Sequence, residues 1–241
     1  VRAETRHHLK ENRFNRVTMG AAEATVHWTV EHQKKLLIAA AAAVLLIAAI
    51  IGAWYYANQR NDRASLEIEQ AVRTLQTPLR PPGTPAQPEF FTYTSDAERA
   101  GAAHKQFQAI VDKYSHTHSA DIARYFVAVT DASMGNTSAA ENEFQAVASL
   151  HDKDLSSLAN FALASIYRGS NRTKEAIDIY KRLSDKPTRS VGKAAAQMAL
   201  AETYQAAGQS PEAKRILEQV QKDNPGGEIA QLVSQKLQEL K

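Results

Sequence analysis

The chain has 241 residues, with 29 Lys and Arg against 26 Asp and Glu, and no cysteine. Without cysteine there is no disulfide-held fold and no lipid anchor on an N-terminal Cys. The net charge of +3 is confined to one end: residues 1–35 carry seven Lys/Arg and four acids, and the remainder carries 22 of each. The larger part therefore offers no basic footprint, and nucleic acid is not an expected partner.

Residues 1–35 form a polar segment that begins with Val, as a fragment or a non-standard start would. Gly20 to Gln33, with Val26 and Val30 four apart, reads as a helix that runs on into the next segment. Leu36 to Ala57 is a run of 22 residues without a charge, between Lys34-Lys35 and Asn58-Gln59-Arg60. As a helix it is about 33 Å long, enough for a hydrocarbon core of ~30 Å. A signal peptide has a shorter apolar core, ~7–15 residues, and a small-residue cleavage site after it. This run ends instead in Trp54-Tyr55-Tyr56, which suits an interfacial aromatic belt, as does Trp28 on the other flank. The expectation is a single transmembrane helix over 36–57. The excess of Lys/Arg before it puts the N-terminus inside and the C-terminal part outside, although Arg60 and Arg63 oppose Lys34 and Lys35 close to the span.

After the span, Arg60 to Gln76 reads as a further helix, with Leu66, Ile68, Ala71, Val72 and Leu75 as apolar contacts and Pro78 as its stop. A loop over 77–94 then holds five of the eight prolines, Pro78, Pro81, Pro82, Pro85 and Pro88. Repeated Pro removes backbone donors and favours extended chain. From Ser95 onward the pattern is helical and regularly broken. Ser95 to Glu98 and Ser138 to Glu141 fit capping boxes, and Ser210-Pro211 fits an N-cap with Pro at the first helical position. Gly135, Asn171 and Gly208 fit left-handed helix ends. No segment alternates with period two, so no sheet is expected.

Three helical pairs superpose in sequence. Val127-Ala128, Asp131, Gly135, Ala140, Phe144 and Val147 correspond to Leu163-Ala164, Tyr167, Asn171, Ala176, Tyr180 and Leu183. These in turn correspond to Leu200-Ala201, Tyr204, Gly208, Ala213, Leu217 and Val220, followed by Pro225. The units start 36 and 37 residues apart, and Ala103-Phe107-Ile110 repeats the second helix once more upstream. The small residues let paired helices approach closely and the large ones fill the seam to the next unit. Since one hairpin cannot bury its own apolar face, such units stack into a solenoid. The pattern resembles the tetratricopeptide repeat. It departs from it at the family's Trp position, held here by Arg124, Asn160 and Gln197, at Asp131, and in a spacing longer than the usual ~34 residues. The expected fold class is all-α, with units over about 60–117 (interrupted by the Pro-rich insertion 77–94), 119–151, 155–187 and 190–224. A capping helix over 226–241 would use Ile229, Leu232, Val233, Leu237 and Leu240.

A polar N-terminal segment, one span, a helix running on from it and tetratricopeptide-like hairpins together resemble the bacterial YfgM-like family of ancillary Sec translocon subunits. The residues that carry this are Leu9-Lys10-Glu11-Asn12-Arg13-Phe14, Trp28 through Lys35, and Trp54 to Gln76. The resemblance implies an inner-membrane protein with a periplasmic repeat domain, whose partners are translocon subunits, periplasmic chaperones and exported chains.

No catalytic, metal or cofactor-binding set emerges: there is no phosphate loop, no His-Glu-x-x-His and no nucleophile elbow, and no enzymatic activity is expected. His116-Thr117-His118 and His7-His8 read as solvated histidines, since a metal site needs three or four convergent ligands. Asn136-Thr137-Ser138 and Asn171-Arg172-Thr173 match glycosylation sequons but read as helix-cap polar residues. By the repeat register, the wall of first helices should present Tyr125 and Val129, Phe161 and Ser165, and Met198 and Glu202 as a partner-binding groove. None of the six is a Lys, Arg or Asn of the kind with which some tetratricopeptide domains clamp a carboxylate. Tyr125, Phe161 and Met198 make an apolar stripe suited to extended or partly unfolded segments; the alternative is that they fill the seam between adjacent helices. Two other functions stay open: a repeat adaptor with reversed topology facing the cytoplasm, and a His-dependent metal-binding or enzymatic periplasmic module.

Overall fold

The computed structural model describes residues 33–81, 83 and 92–240. The expected helix over Gly20 to Gln33 lies almost wholly outside these residues, as do Leu9–Phe14, His7-His8, Trp28, Pro82, Pro85 and Pro88. The described residues form α1 (Gln33–Gln76), α2 (Asp96–Lys113), α3 (His118–Ser133), α4 (Thr137–Ala148), α5 (Lys153–Gly169), α6 (Thr173–Asp185), α7 (Lys193–Ala206), α8 (Ser210–Asp223) and α9 (Gly227–Glu239). Among the described residues the only β pairing is an isolated bridge between Leu79 and Tyr93, reinforced by Arg80 N donating to the Tyr93 carbonyl at 2.7 Å. It closes the base of the proline-rich loop.

The chain divides after Asn58 into two units, of which the second begins at Gln59. In the first unit, residues 33–58 are helical and expose their side chains wherever these are described; Leu45 is 71% and Ile50 67% exposed. The helix to which they belong is long and apolar enough to cross a membrane.

The second unit is built from hairpins whose turns are copies of one another. Gly135, Asn171 and Gly208 all sit at positive φ, at 82°, 60° and 72°. After each, the next amide reaches back five residues: Asn136 to Asp131, Arg172 to Tyr167 and Gln209 to Tyr204, at 2.9, 2.8 and 2.9 Å. This is the Schellman closure, which satisfies carbonyls that the helix end leaves free and needs a left-handed residue, for which Gly has no Cβ penalty and Asn a small one. Helix starts are less uniform. Thr117 and Asp152 cap α3 and α5, Asp152 Oδ1 accepting from the amides of Asp154 and Leu155 at 2.9 and 3.0 Å.

Three expected caps differ in detail. Ser95 Oγ accepts from the Glu98 amide, but the Glu98 carboxylate turns to the amide of Thr94, one residue before the box would place it. The box at Ser138 does not form. α4 starts at Thr137 after Asn136, because the Schellman turn sets the helix entry, and Glu141 is drawn instead to Arg172 in the next hairpin. Likewise Gln209, not Ser210, stands at the N-cap position of α8, without a side-chain cap bond, so Pro211 falls at the second helical position.

Packing follows the repeat. The small residues Ala128, Ala164, Ala140, Ala176 and Ala213 are fully buried and Ala201 nearly so, which brings paired helices together. Phe144, Tyr180 and Leu217 are buried beside them, as is Phe107 in α2. A smaller core joins α1 to α2 and α3 through Ala64, Ala71, Phe107 and Ile110. Polar contacts pin the same joint: Asn61 Oδ1 accepts from the Ser119 amide at 2.9 Å, and Glu67 accepts from Lys113 and the Tyr114 hydroxyl at 2.7 and 2.8 Å. At the far end α9 buries Val233 on the last hairpin, while Ile229 and Leu232 stay exposed.

Candidate functional site

The first helices α3, α5 and α7 carry Tyr125 and Val129, Phe161 and Ser165, and Met198 and Glu202 at equivalent positions. Tyr125, Val129, Phe161 and Met198 are half-buried, with one side against the main core. Tyr125 meets Phe126 and Phe144 edge-on, both at 5.6 Å between centroids, and burial pushes its hydroxyl pKa up. Phe161 meets Tyr180 edge-on at 5.2 Å. Tyr180 OH also lies 3.5 Å from the Phe161 carbonyl and hydrogen-bonds Ser165, and its pKa rises mainly through burial. Ser165 itself is exposed. The stripe therefore has both characters: its rings fill seams between helices with one edge and leave the other to solvent.

Glu202 has partners that the sequence pattern did not reveal. Its Oε2 accepts from Arg168 Nη1 on α5 at 3.0 Å, and its Oε1 lies 2.7 Å from Lys236 Nζ on α9. Burial pushes this carboxyl up, but the hydrogen bonds from Lys236 and Arg168 outweigh it and hold the carboxyl below the usual range. The three side chains come from α5, α7 and the capping helix α9 and are spaced 34 residues apart, which is the signal that could have found them. Arg168 and Lys236 put cations on this wall after all, but Glu202 already occupies them.

The other candidate groups are dispersed. His118 lies 3.5 Å from Asp152, and among the described residues no group of three or more His, Asp or Glu could hold a metal ion. His104, unnoticed in the sequence, hydrogen-bonds Thr130 at 3.1 Å and faces Asp131 at 3.8 Å. Asp131 also accepts from Asn136 at 3.2 Å. A polar seam with α2 thus stands where the repeat pattern has an aromatic ring.

The sequence pattern of the family described as a tetratricopeptide repeat-like domain matches residues 26–181, well over half of the chain. The chain belongs to that family. A second pattern, the tetratricopeptide repeat itself, matches residues 167–236. Two crystal structures of a proposed kinesin light chain from Podosopora anserina with nearly identical tetratricopeptide-like repeats, one of them carrying a single substitution, are similar to it. Each is 20% identical with a TM-score of 0.55; the matches cover 75% of this chain and 85% and 86% of those chains. At that identity the likeness concerns the fold. No curated protein matches this chain. Tetratricopeptide repeats are in general protein-interaction scaffolds, and protein partners are what this fold serves.

Proposed function

We propose that this chain is a membrane-tethered tetratricopeptide scaffold that holds protein partners at the outer face of a bacterial inner membrane, near the Sec translocon and periplasmic chaperones. The observation that carries the tether is that the helix Gln33–Gln76 contains both the 22-residue uncharged run and the stretch whose Ala64 and Ala71 enter the repeat core. Confinement to a bilayer raises the effective concentration of partners there, so modest affinity along the Tyr125–Phe161–Met198 stripe suffices. The Lys/Arg excess before the run and the resemblance to the YfgM-like family support an outward-facing repeat domain and the neighbourhood of exported chains.

The decisive experiment fuses alkaline phosphatase or green fluorescent protein after Lys241 in a bacterial host. Phosphatase activity without fluorescence is expected. Fluorescence without phosphatase activity would reverse the topology and make the chain a cytoplasm-facing adaptor. The double variant Tyr125→Ser, Phe161→Ser should reduce partner pull-down from crosslinked membranes while the helical signal persists; undiminished pull-down would remove the stripe from the binding surface.

A further inference from the structure

The hairpin of α5 and α6 differs from its neighbours at its open corner. A cavity of about 320 Å³ lies there, between the start of α5 and the end of α6. Ile179 and Leu183 form an apolar floor, Lys153, Arg182 and Lys186 line it, and no carboxylate does. None of these three cations forms an ion pair with a described residue. The acids nearest in sequence are occupied or outside. Asp152 caps α5, Asp154 holds Arg189 at 2.9 Å, and Asp178 and Asp185 are exposed and do not line the cavity.

The repeat register shows what is missing. In the hairpin of α7 and α8, the place of Ser156 is taken by Lys193, that of Arg182 by Gln219 and that of Lys186 by Asp223. Lys193 Nζ lies 2.8 Å from Asp223 Oδ2, and Gln219 donates to Oδ1 at 2.7 Å. In the hairpin of α3 and α4, the places of Asn160 and Ile179 are taken by Arg124 and Glu143, which pair at 3.4 Å. Each neighbour therefore neutralises a cation of its first helix with a carboxylate from its second. On α5 the cation places hold Ser156 and Asn160, and on α6 the carboxylate places hold Lys186 and Ile179, so the whole pair is absent and the charge that lines the corner, on Lys153, Arg182 and Lys186, is positive throughout. Like charges gathered at one corner repel one another, and a carboxylate from outside relieves them as Asp223 does from inside.

We propose that this corner docks an acidic segment of a protein partner, with carboxylates on Lys153, Arg182 and Lys186 and one apolar side chain over Ile179 and Leu183. The proposal rests on reading the chain as a protein-binding scaffold, but it uses residues other than the stripe. Charge complementarity selects the partner's acids, and the apolar floor selects a peptide over a bare anion.

The test titrates the full chain, in mild detergent, into a fluorescein-labelled Asp-Glu-Leu-Glu-Asp peptide and into the same peptide with Asn and Gln for its acids. The acidic peptide should bind about tenfold tighter, with the margin shrinking between about 50 and 500 mM NaCl. Lys153→Gln, Arg182→Gln and Lys186→Gln together should remove that margin. A second variant, Ser156→Lys with Lys186→Asp, copies the hairpin of α7 and α8 and should close the site while the thermal melt stays in place. Equal binding of the two peptides, or unchanged binding by either variant, would overturn the site. Displacement by inorganic phosphate or glycerophosphoserine at the peptide's own concentration would also overturn it, leaving a small-anion or headgroup site. The stripe variant Tyr125→Ser, Phe161→Ser should bind the peptide within about twofold of the parent chain. A larger loss would place the peptide on the stripe. Pull-down by that variant tests the scaffold reading separately, so the two ideas fail apart.

Discussion

The two halves of α1 share a backbone conformation and little else. Over residues 36–57 the large apolar side chains, such as Leu45, Ile47 and Ile50, are exposed, while over 60–76 the small Ala64 and Ala71 are fully buried. Large apolar groups left bare and small ones sealed invert the arrangement of a soluble helix. The difference is one of composition: the first half is apolar on every side, whereas the second is polar outside and apolar where it packs. The second half gains from packing in water, because its alanines are buried in one cluster with Phe107 and Ile110 of α2. The first half has the composition that gains from a hydrocarbon surround, where each buried CH₂ is worth about 0.8 kcal/mol.

The comparison can be broken most forcefully at Phe107. Phe107→Ala should cost about 3–5 kcal/mol in a denaturant melt and strip hydrogen-exchange protection from α2 and from 60–76 of α1. Ile50→Ala, a large-to-small deletion in the first half of α1, should leave that melt within about 0.5 kcal/mol; a Phe107-sized loss there would mean the apolar run is packed in a protein core. Next in size, Ile47→Arg should cost about 2.5–3.5 kcal/mol of insertion and shift the chain toward the alkali-extractable fraction; an unaltered partition would argue against a span. Overfilling a hairpin, as in Ala176→Leu, should cost about 1–3 kcal/mol by forcing α5 and α6 apart, read as a drop in melting temperature.

The smallest effect belongs to Glu202. Its folded-state carboxyl sits below the ordinary Glu range, so its contribution is complete above that range and is lost as pH falls through it toward the lowered value. A partly exposed ion pair of this kind is worth about 0.2–1 kcal/mol. Acidification should therefore destabilise the parent chain slightly more than Glu202→Gln. Identical pH profiles would mean the Arg168–Glu202–Lys236 ladder adds nothing to stability.

Legibility varied with the range of the interaction. The six alanines of the hairpin contacts, the ring positions Phe144 and Tyr180, and the left-handed turns at Gly135, Asn171 and Gly208 could be read from spacing alone, because each reflects the local geometry of one hairpin repeated. The caps at Ser138 and Ser210 slipped because a Schellman turn and a short loop settle where the next helix enters, and a motif of four residues does not contain that information. Glu202 was placed on the wall by its register, but its ties to Arg168 and Lys236 cross two helix seams and have no local signature. The same holds for His104 against Thr130, and for the bridge at Leu79 and Tyr93.

By itself the sequence determined the helical class, the hairpin period and the existence of an uncharged run long enough to span a bilayer, because composition and periodicity act residue by residue along the chain. Only the tertiary structure decided which charges meet, which rings lie half-open on the first helices, and which corner of the solenoid keeps its cations without a carboxylate. Those outcomes depend on side chains some 30 residues apart arriving at one place, and that distance is closed by packing.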